Sequence, residues 1–232
     1  MSPYSLVVIG SGPGIGSHVA RQFAKQGFSK IALVARNSTQ LVKAHISVEE
    51  AMRGANVVVK TYSVDITDSE KLKATLEQVE IDLGPPEVVF FNAARVLPST
   101  LLETSDDEMV YDFKITVNAL HQTAKWAVPQ LTKLAKTDSS AKPSLIVTSS
   151  HLPREPLPEA FVLSLTKAAQ RNLSESLAKV YGPQGVHIGL VIVAGMVAPD
   201  NDKLNPLHIA EKTFELYNQE RDEWTLEVVI RE

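Results

Sequence analysis

The stretch SLVVIGSGPGIG, residues 5–16, decides the fold of this chain. An apolar run of strand length leads directly into a glycine-rich turn, and the residues after the turn have the period of a helix. Gly10, Gly14 and Gly16 permit a tight turn and let a phosphate group approach the N-terminus of that helix, where free N–H groups favour an anion. Taken alone, the loop is also compatible with an ordinary strand-to-helix turn.

The remaining apolar runs repeat the same alternation of strand and helix. Stretches of helical period separate strand-length runs at 30–36, 56–64, 87–93, 144–150, 186–195 and 224–230. Near-continuous Val, Ile and Leu runs are typical of strands covered on both faces, which favours a parallel sheet. The sequence therefore predicts an α/β chain with a single doubly wound domain over 1–232 and a mostly parallel seven-stranded sheet flanked by helices.

Composition narrows the range of partners. The 232 residues carry a formal net charge of -4, with 44% hydrophobic and 22% charged residues, as in an ordinary globular domain. This balance gives no electrostatic reason to expect nucleic acid or a membrane, and it favours a small-molecule substrate. There is no cysteine, which excludes disulfides and thiol catalysis, and the six histidines show no paired metal-ligand spacing. We expect a cytoplasmic protein without a bound metal.

Further motifs follow the glycine loop over nearly the whole chain. They are YSVDITD (62–68), FNAA (91–94), ITVNAL (115–120), LIVTSS (145–150), SLTKAA (164–169) and VIVAGMV (191–197). With the loop GSGPGIG they resemble the short-chain dehydrogenase/reductase family, which has a GxxxGxG loop, an NNAG motif and a YxxxK motif. The resemblance implies a Rossmann fold and an oxidoreductase that uses a nicotinamide dinucleotide. Phe91, Ala94 and Ala194 depart from the family's motifs.

The resemblance also implies a cofactor site. Asp65 would hydrogen-bond the adenine amino group, and Asn92 and Ala93 would lie beside the adenine ribose. Lys167 would bind the nicotinamide ribose. The implied cofactor-binding residues are Gly10, Ser11, Gly14, Ile15, Gly16, Arg36, Asp65, Ile66, Asn92, Ala93, Lys167 and Val197.

The end of the second strand bears on the choice of cofactor. A carboxylate there would bind the adenosine ribose diol and repel a 2'-phosphate, but the sequence reads LVARNS and has no acid. Arg36 can pair with that phosphate, and Ser11 or Asn37 and Ser38 can add hydrogen bonds. We therefore expect NADP(H) rather than NAD(H), although an arginine just after a strand is also commonly a solvated surface charge.

One catalytic residue of the family is absent. The resemblance places Asn118, Ser150 and Lys167 in the active site, with a proton-donating tyrosine four residues before the lysine. Position 163 is leucine, and the neighbouring residues contain no tyrosine that a shifted alignment would supply. A general acid typically contributes about 10²- to 10⁴-fold to a rate, so its loss argues against a standard alcohol dehydrogenase.

Three interpretations of Leu163 remain open. A reductase can act on a C=N bond, since an iminium carbon accepts hydride without prior protonation, or on activated C=C or C=O bonds with a proton from solvent. Alternatively His151, directly after Ser150, supplies the acid, or it is a loop residue that points elsewhere. The third interpretation is an NADP(H)-binding protein without redox turnover: a sensor, a scaffold or a cyclisation catalyst. Asn118, Ser150 and Lys167 together favour the reductase.

Three further features concern substrate and assembly. Arg95 follows FNAA and is either a binding group for a substrate carboxylate or phosphate, or a solvent-facing charge. The connection over 194–206 is short where the family usually has a longer lid, which predicts an open substrate side. Helices beginning near Asp106 and Pro158 resemble those that form dimer interfaces in the family, so we expect a homodimer or homotetramer.

Overall fold

The computed structural model describes residues 2–52 and 57–232, which form one sheet with helices on both faces. The strands are β1 (Ser2–Ile9), β2 (Phe28–Ala35), β3 (Val58–Ser63), β4 (Pro86–Phe91), β5 (Ser144–Ser150), β6 (His187–Val193) and β7 (Glu227–Ile230). The helices are α1 (Ile15–Lys25), α2 (Ser38–Ala51), α3 (Ser69–Leu83), α4 (Asp106–Phe113), α5 (Ala119–Thr137), α6 (Phe161–Tyr181) and α7 (Pro206–Tyr217). A π-helical turn, Lys114–Asn118, joins α4 to α5. Asn56, where the third strand is predicted to start, lies outside the described residues.

The sheet has the order β3-β2-β1-β4-β5-β6-β7, and within the described residues all its strand pairings are parallel. The chain runs from β1 outward to β2 and β3, and then returns to β4 on the other side of β1. In open α/β sheets ligands bind in the crevice that forms at this reversal, at the carboxyl ends of the strands. The topology confirms the predicted doubly wound fold and brings the ends of β1 and β4 together.

Each face of the sheet carries its own hydrophobic core. On one face α1, α2 and α7 pack on the strands, and on the other α3, α5 and α6 do so. Successive strand side chains alternate between the faces, so β1 contributes Leu6 and Val8 to the first core, and Val7 and Ile9 to the second. Burying one such side chain contributes about 1.5–3 kcal/mol. These cores hold the strand ends, and the loops that follow them, in fixed positions.

Two elements differ from what the sequence predicts. β3 is an edge strand with mostly exposed side chains, because only β2 pairs with it. α6 begins at Phe161 rather than near Pro158, because Ala160 forms a parallel bridge with Ser99. The Ser99 hydroxyl accepts a hydrogen bond from the Val162 amide at 3.0 Å. Ser99 therefore satisfies a donor that an N-terminal capping residue would otherwise satisfy.

Candidate functional site

Two positions of the loop between β1 and α1 require glycine. Gly10 has a φ of +92°, and a Cβ atom there would lie 2.7 Å from the Ala93 nitrogen. A Cβ atom on Gly16 would lie 2.4 Å from the Gly10 carbonyl oxygen. No side chain fits at either position, so these glycines allow the close approach of β1, β4 and α1 that forms the turn.

The other two glycines of the loop leave open space in front of α1. A Cβ atom on Gly12 or Gly14 would meet no atom within 4 Å. Gly14 begins the helix without a side-chain cap, and the amides of Ile15 and Gly16 have no backbone acceptor within the described residues. Free N–H groups at a helix N-terminus, with an unfilled cradle in front of them, suit a phosphate group. Gly14, Ile15 and Gly16 therefore have the arrangement that a pyrophosphate site needs.

Ser11 does not offer its donors to this cradle. The residue is fully buried; its hydroxyl donates to the Val8 carbonyl at 2.9 Å, and its amide donates to the Val34 carbonyl at 3.1 Å. Both donors are satisfied inside the protein and fasten the loop to β1 and β2. This weakens the assignment of Ser11 as a cofactor ligand, which stays a prediction.

A cavity of about 360 Å³ opens beside the loop, at the carboxyl ends of the first four strands. Of the predicted cofactor-binding residues, Gly10, Arg36, Asp65, Ile66, Asn92 and Ala93 line it. Asp65 Oδ1 accepts hydrogen bonds from the amide and the hydroxyl of Thr67, at 3.0 and 2.8 Å. These bonds fix the carboxylate and leave Oδ2 for an amino group. The cavity therefore has the lining that an adenosine would need.

Asn92 ties three strand ends together beneath this cavity. Its Nδ2 donates to the Gly10 carbonyl at 3.0 Å, and its amide donates to the Ile9 carbonyl at 2.7 Å. Its Oδ1 accepts a hydrogen bond from the Thr148 hydroxyl at 2.8 Å. With its side chain engaged in this way, Asn92 shapes the cavity floor rather than reaching into the cavity.

Arg36 is an exposed cation at the edge of the cavity. Its Nη1 donates to the Tyr111 hydroxyl at 2.7 Å, and no carboxylate of the described residues forms an ion pair with it. The neighbouring Asn37 caps α2, because its side chain accepts a hydrogen bond from the Gln40 amide at 3.0 Å. The end of β2 thus presents one unpaired guanidinium and no acid.

Arg95 lines the same cavity but is held by two carboxylates. Its Nε donates to Asp112 at 2.5 Å, and its Nη2 donates to Glu108 at 2.7 Å. Asp112 and Glu108 are four residues apart, on one face of α4, and Asp112 is buried. Hydrogen bonding to Asp112 raises the pKa of Arg95 above its usual value. This pairing weakens the hypothesis that Arg95 binds a substrate carboxylate.

Lys167 is buried against the end of β5. Its Nζ donates to the Thr148 carbonyl at 2.7 Å and to Gln170 Oε1 at 2.9 Å. Gln170, which is fully buried, donates in turn to the Thr116 carbonyl at 3.2 Å. Burial lowers the pKa of Lys167 to about 7. In its protonated form Lys167 has three donors, of which one N–H remains for a ligand.

Ser150 and Leu163 lie close in sequence to Thr148 and Gln170, the two residues that accept hydrogen bonds from Lys167. Ser150 ends β5, two residues after Thr148, and its Oγ accepts a hydrogen bond from the Leu152 amide at 3.3 Å. The Ser150 hydroxyl therefore keeps its own hydrogen to donate. Leu163 is half-buried, one turn before Lys167 on α6, and has no proton to give. Ser149, the alternative serine, is buried, and its hydroxyl has no partner within the described part of the chain.

His151 begins the turn that follows β5. Its carbonyl oxygen accepts hydrogen bonds from the amides of Arg154 and Glu155, at 2.9 and 3.0 Å. Its Nδ1 is enclosed and has no hydrogen-bond partner in residues 2–52 and 57–232. No hydrogen bond in that part of the chain joins its side chain to Ser150, so a role for His151 as the acid stays a prediction.

Asn118 lies outside the lysine network. It ends the π-helical turn and its side chain is exposed, whereas the carbonyl of the buried Thr116 accepts the hydrogen bond from Gln170. A π-turn inserts an extra residue and rotates the following residues about the helix axis. A role for Asn118 in the active site stays a prediction, and the carbonyl linked to Lys167 through Gln170 belongs to Thr116.

The connection over 194–206 is short and contains neither helix nor strand before α7 begins at Pro206. Asn201 organises it by accepting hydrogen bonds from two later amides, and Leu204 anchors it in the core. Met196 and Val197 remain exposed at its start. Val197 does not line the adenosine-type cavity, so its contact with a cofactor stays a prediction.

Sequence reasoning missed three residues of the site: Thr148, Gln170 and Tyr111. Gln170 carried a signal, since a polar residue stands three positions after Lys167 on the same face of a helix. Thr148 lay inside a quoted motif, but its carbonyl and hydroxyl roles depend on neighbouring strands. Tyr111 had no local signal, because its partner Arg36 is 75 residues away.

Other kinds of site find no support in the part of the chain that the structure describes. Its residues form no cluster of three or more His, Asp or Glu that could hold a metal ion. None of its helices is both long enough and apolar enough to cross a membrane.

Comparisons with known proteins agree with this architecture. The family model described as short chain dehydrogenase matches residues 5–206. An uncharacterized oxidoreductase of Staphylococcus aureus (strain MRSA252) is 26% identical over 233 residues, which cover 97% of this chain and 95% of that protein.

Two solved structures illustrate the range of cofactors on this fold. The NADPH-bound short-chain oxidoreductase of Pseudomonas aeruginosa PAO1, which contains an atypical catalytic center, is 21% identical with a TM-score of 0.82, over 97% of this chain and 95% of that one. The NADH-dependent reductase A1-R', complexed with NAD, is 18% identical with a TM-score of 0.80, over 92% of this chain and 88% of that one. Such likenesses show the fold alone. The family model spans most of the chain, and the chain belongs to the short-chain dehydrogenase family of oxidoreductases.

Proposed function

We propose that this protein is an NADP(H)-dependent reductase that acts without a tyrosine proton donor. Its substrate class is a small molecule with a C=N bond, or with an activated C=C or C=O bond. The observation that carries the proposal is that the Lys167 ammonium is held on the Thr148 carbonyl, two residues before Ser150 on β5, while leucine stands at 163, where the family has its acid.

The choice of NADP(H) rests on the end of β2. An acid there would repel a 2'-phosphate, and the described structure presents only the Arg36 guanidinium at that point. A guanidinium without a carboxylate partner is free to bind a phosphate group in a bidentate manner. NAD(H), by contrast, would leave Arg36 without an anion.

Each residue of the site would have a separate role in binding the cofactor or the substrate. When bound, the cofactor supplies a hydride. The remaining N–H of Lys167 would hold a ribose hydroxyl, while Thr148 and Gln170 keep the ammonium in place. The Ser150 hydroxyl would donate a hydrogen bond to a polar atom of the substrate. With leucine at 163, a substrate whose product needs no immediate proton suits the site best, which favours an iminium.

The substrate side of the proposed enzyme is open. The short connection over 194–206 leaves Met196 with 81% of its surface exposed, next to the end of β6. An open apolar rim would admit a bulky substrate unless a second subunit covers it. We propose a homodimer or homotetramer on the strength of the family resemblance, and a cytoplasmic location on the strength of the cysteine-free composition.

A titration with NADPH and NADH tests the cofactor assignment. The wild-type protein should bind NADPH more tightly than NADH, and Arg36→Ala should reduce that preference at least tenfold. Lys43→Ala, an exposed change on α2, is the matched control. Equal binding of both nucleotides by the wild type would overturn the NADP(H) assignment.

A substrate screen tests the redox assignment. Cyclic imines, enones and activated ketones are incubated with NADPH, and nucleotide oxidation is followed together with product formation. Turnover of an imine that disappears in Lys167→Met supports the reductase. Tight NADPH binding without hydride transfer to any of these classes would instead favour the sensor, scaffold or cyclisation alternative.

A further inference from the structure

Tyr111 contacts Arg36, the residue that is proposed to bind the 2'-phosphate of NADP(H), at the edge of the adenosine-type cavity. It lies on α4 and lines the cavity together with Arg36, which follows β2. The Tyr111 hydroxyl accepts a hydrogen bond from Arg36 Nη1 at 2.7 Å. The two side chains thus form a bridge over one side of the cavity.

The ring of Tyr111 is held in place from the other side by Arg95. The Arg95 guanidinium lies 5.6 Å from the ring centroid, close enough for a cation–π contact. Arg95 is itself fixed by Glu108 and Asp112, which flank Tyr111 on α4. These contacts orient the phenol before any ligand arrives, so little side-chain entropy remains to be lost on binding.

Both partners of the bridge have donors left over. The Tyr111 oxygen accepts from Arg36, and no acceptor for its own hydrogen exists within residues 2–52 and 57–232. The other N–H groups of Arg36 also have no acceptor in that part of the chain. A guanidinium and a phenolic O–H on one cavity wall, both lacking acceptors, form a donor set for an anion with several oxygens.

The carboxylates near the cavity do not compete for these donors. Glu108 and Asp112 are directed to Arg95, and Asp65 is held by Thr67. Accepting a hydrogen bond from a cation also polarises the phenol, which makes its remaining hydrogen a stronger donor.

We propose that Tyr111 is a specificity-determining residue that donates its phenolic hydrogen to the 2'-phosphate of NADP(H), alongside Arg36. The inference rests on the proposed NADP(H) function and deepens it. Tyr111 would add to the discrimination between NADP(H) and NAD(H) without contacting the nicotinamide half.

Calorimetric titration of the full chain separates this role from a structural one. Tyr111→Phe should weaken the binding of NADPH and of 2'-AMP about tenfold, and should leave NADH and 5'-AMP within about twofold of the wild type. Tyr181→Phe, on α6 and outside the cavity lining, is the matched control. Thermal unfolding of each variant verifies that the fold is retained.

Two results would overturn the inference while leaving the proposed function intact. Unchanged NADPH binding in Tyr111→Phe would mean that the phenol does not touch the phosphate. Tighter NADPH binding would mean that the phenol competes with the phosphate for Arg36. If the wild type itself shows no preference for 2'-AMP over 5'-AMP, the NADP(H) function fails, and this inference fails with it.

Discussion

Lys167 donates a hydrogen bond to Gln170 Oε1 over 2.9 Å, one helical turn further along α6 and inside the protein. Gln170 Nε2 in turn donates a hydrogen bond to the Thr116 carbonyl, in the π-helical turn before α5. A single buried amide thus links α6 to the turn between α4 and α5, while the Thr148 carbonyl holds the lysine against β5. The stability of the fold and the position of the lysine ammonium therefore depend on the same few hydrogen bonds.

Gln170→Met should destabilise the protein by about 2–3 kcal/mol. The thioether nearly matches the volume of the amide but leaves a buried N–H of Lys167 and the Thr116 carbonyl without partners. Urea unfolding measures the effect, and Gln184→Met, at an exposed position, should change stability by less than about 0.5 kcal/mol. A Gln170→Met stability equal to that of the wild type would show that the network contributes nothing.

The stability of the wild type relative to Lys167→Met should rise with pH above about 7. Burial lowers the pKa of Lys167 from 10.5 to about 7 in the folded state. Between these values the unfolded chain binds a proton that the folded chain lacks, so raising the pH favours folding, by an amount on the order of a few kcal/mol. Below pH 7 both states are protonated, and the cost of the buried charge is constant.

Lys179→Met controls for this pH dependence, because Lys179 is an exposed lysine of the same helix. Unfolding free energies are measured at several pH values between about 6 and 10, the range that spans both pKa values. Parallel curves for the wild type and Lys167→Met would contradict the lowered pKa.

Gly12→Ala and Gly16→Ala should separate binding from folding. At Gly16 a Cβ atom would lie 2.4 Å from a backbone oxygen, so alanine there should cost about 1–3 kcal/mol or more of stability. At Gly12 a Cβ atom meets nothing, so stability should change by less than about 0.5 kcal/mol. NADPH affinity should nevertheless fall at least tenfold in Gly12→Ala, because the methyl group enters the cradle in front of α1. Unaltered NADPH affinity would place the pyrophosphate elsewhere.

Leu163→Tyr should create NADPH-dependent reduction of simple activated ketones. The new phenol would stand one turn before Lys167 and supply the missing proton, a contribution of about 10²-fold or more. Leu163→Phe adds the same ring without the hydroxyl, so it isolates the effect of the proton. Equal ketone turnover by the two variants would indicate a pocket reshaped for other chemistry.

Arg95→Ala should lower stability by about 1–3 kcal/mol and leave substrate KM unchanged. Its removal strands the buried Asp112 carboxylate, and the figure is reduced because Arg95 keeps 27% of its side-chain surface exposed. Asp112→Ala and the double variant complete a cycle that measures the pair. A raised KM with unchanged stability would restore the hypothesis that Arg95 binds substrate.

The predictable part of the site lies within short segments of the chain. The glycine loop, the carboxylate after β3 and the acid-free end of β2 each combine one strand with the few residues that follow it. The strand ends meet at one edge of a parallel sheet, so the order of the motifs was enough to predict a shared cavity. The contact of Gln170 with the Thr116 carbonyl was not predicted, because the π-helical turn changes which residue faces inward and no local sequence pattern indicates that turn.

By itself the sequence determined the doubly wound fold, the glycine turn and the absence of a tyrosine at 163. Strand and helix periodicity, and the steric freedom of glycine, are local properties, so they can be predicted without knowing which distant residues are in contact. The tertiary structure decided the partners: Arg95 pairs with Asp112, and Arg36 meets Tyr111 across 75 residues of chain. Such pairs depend on how helices lie against the sheet, since a rotation of α4 by one residue would exchange every side chain that faces the cavity.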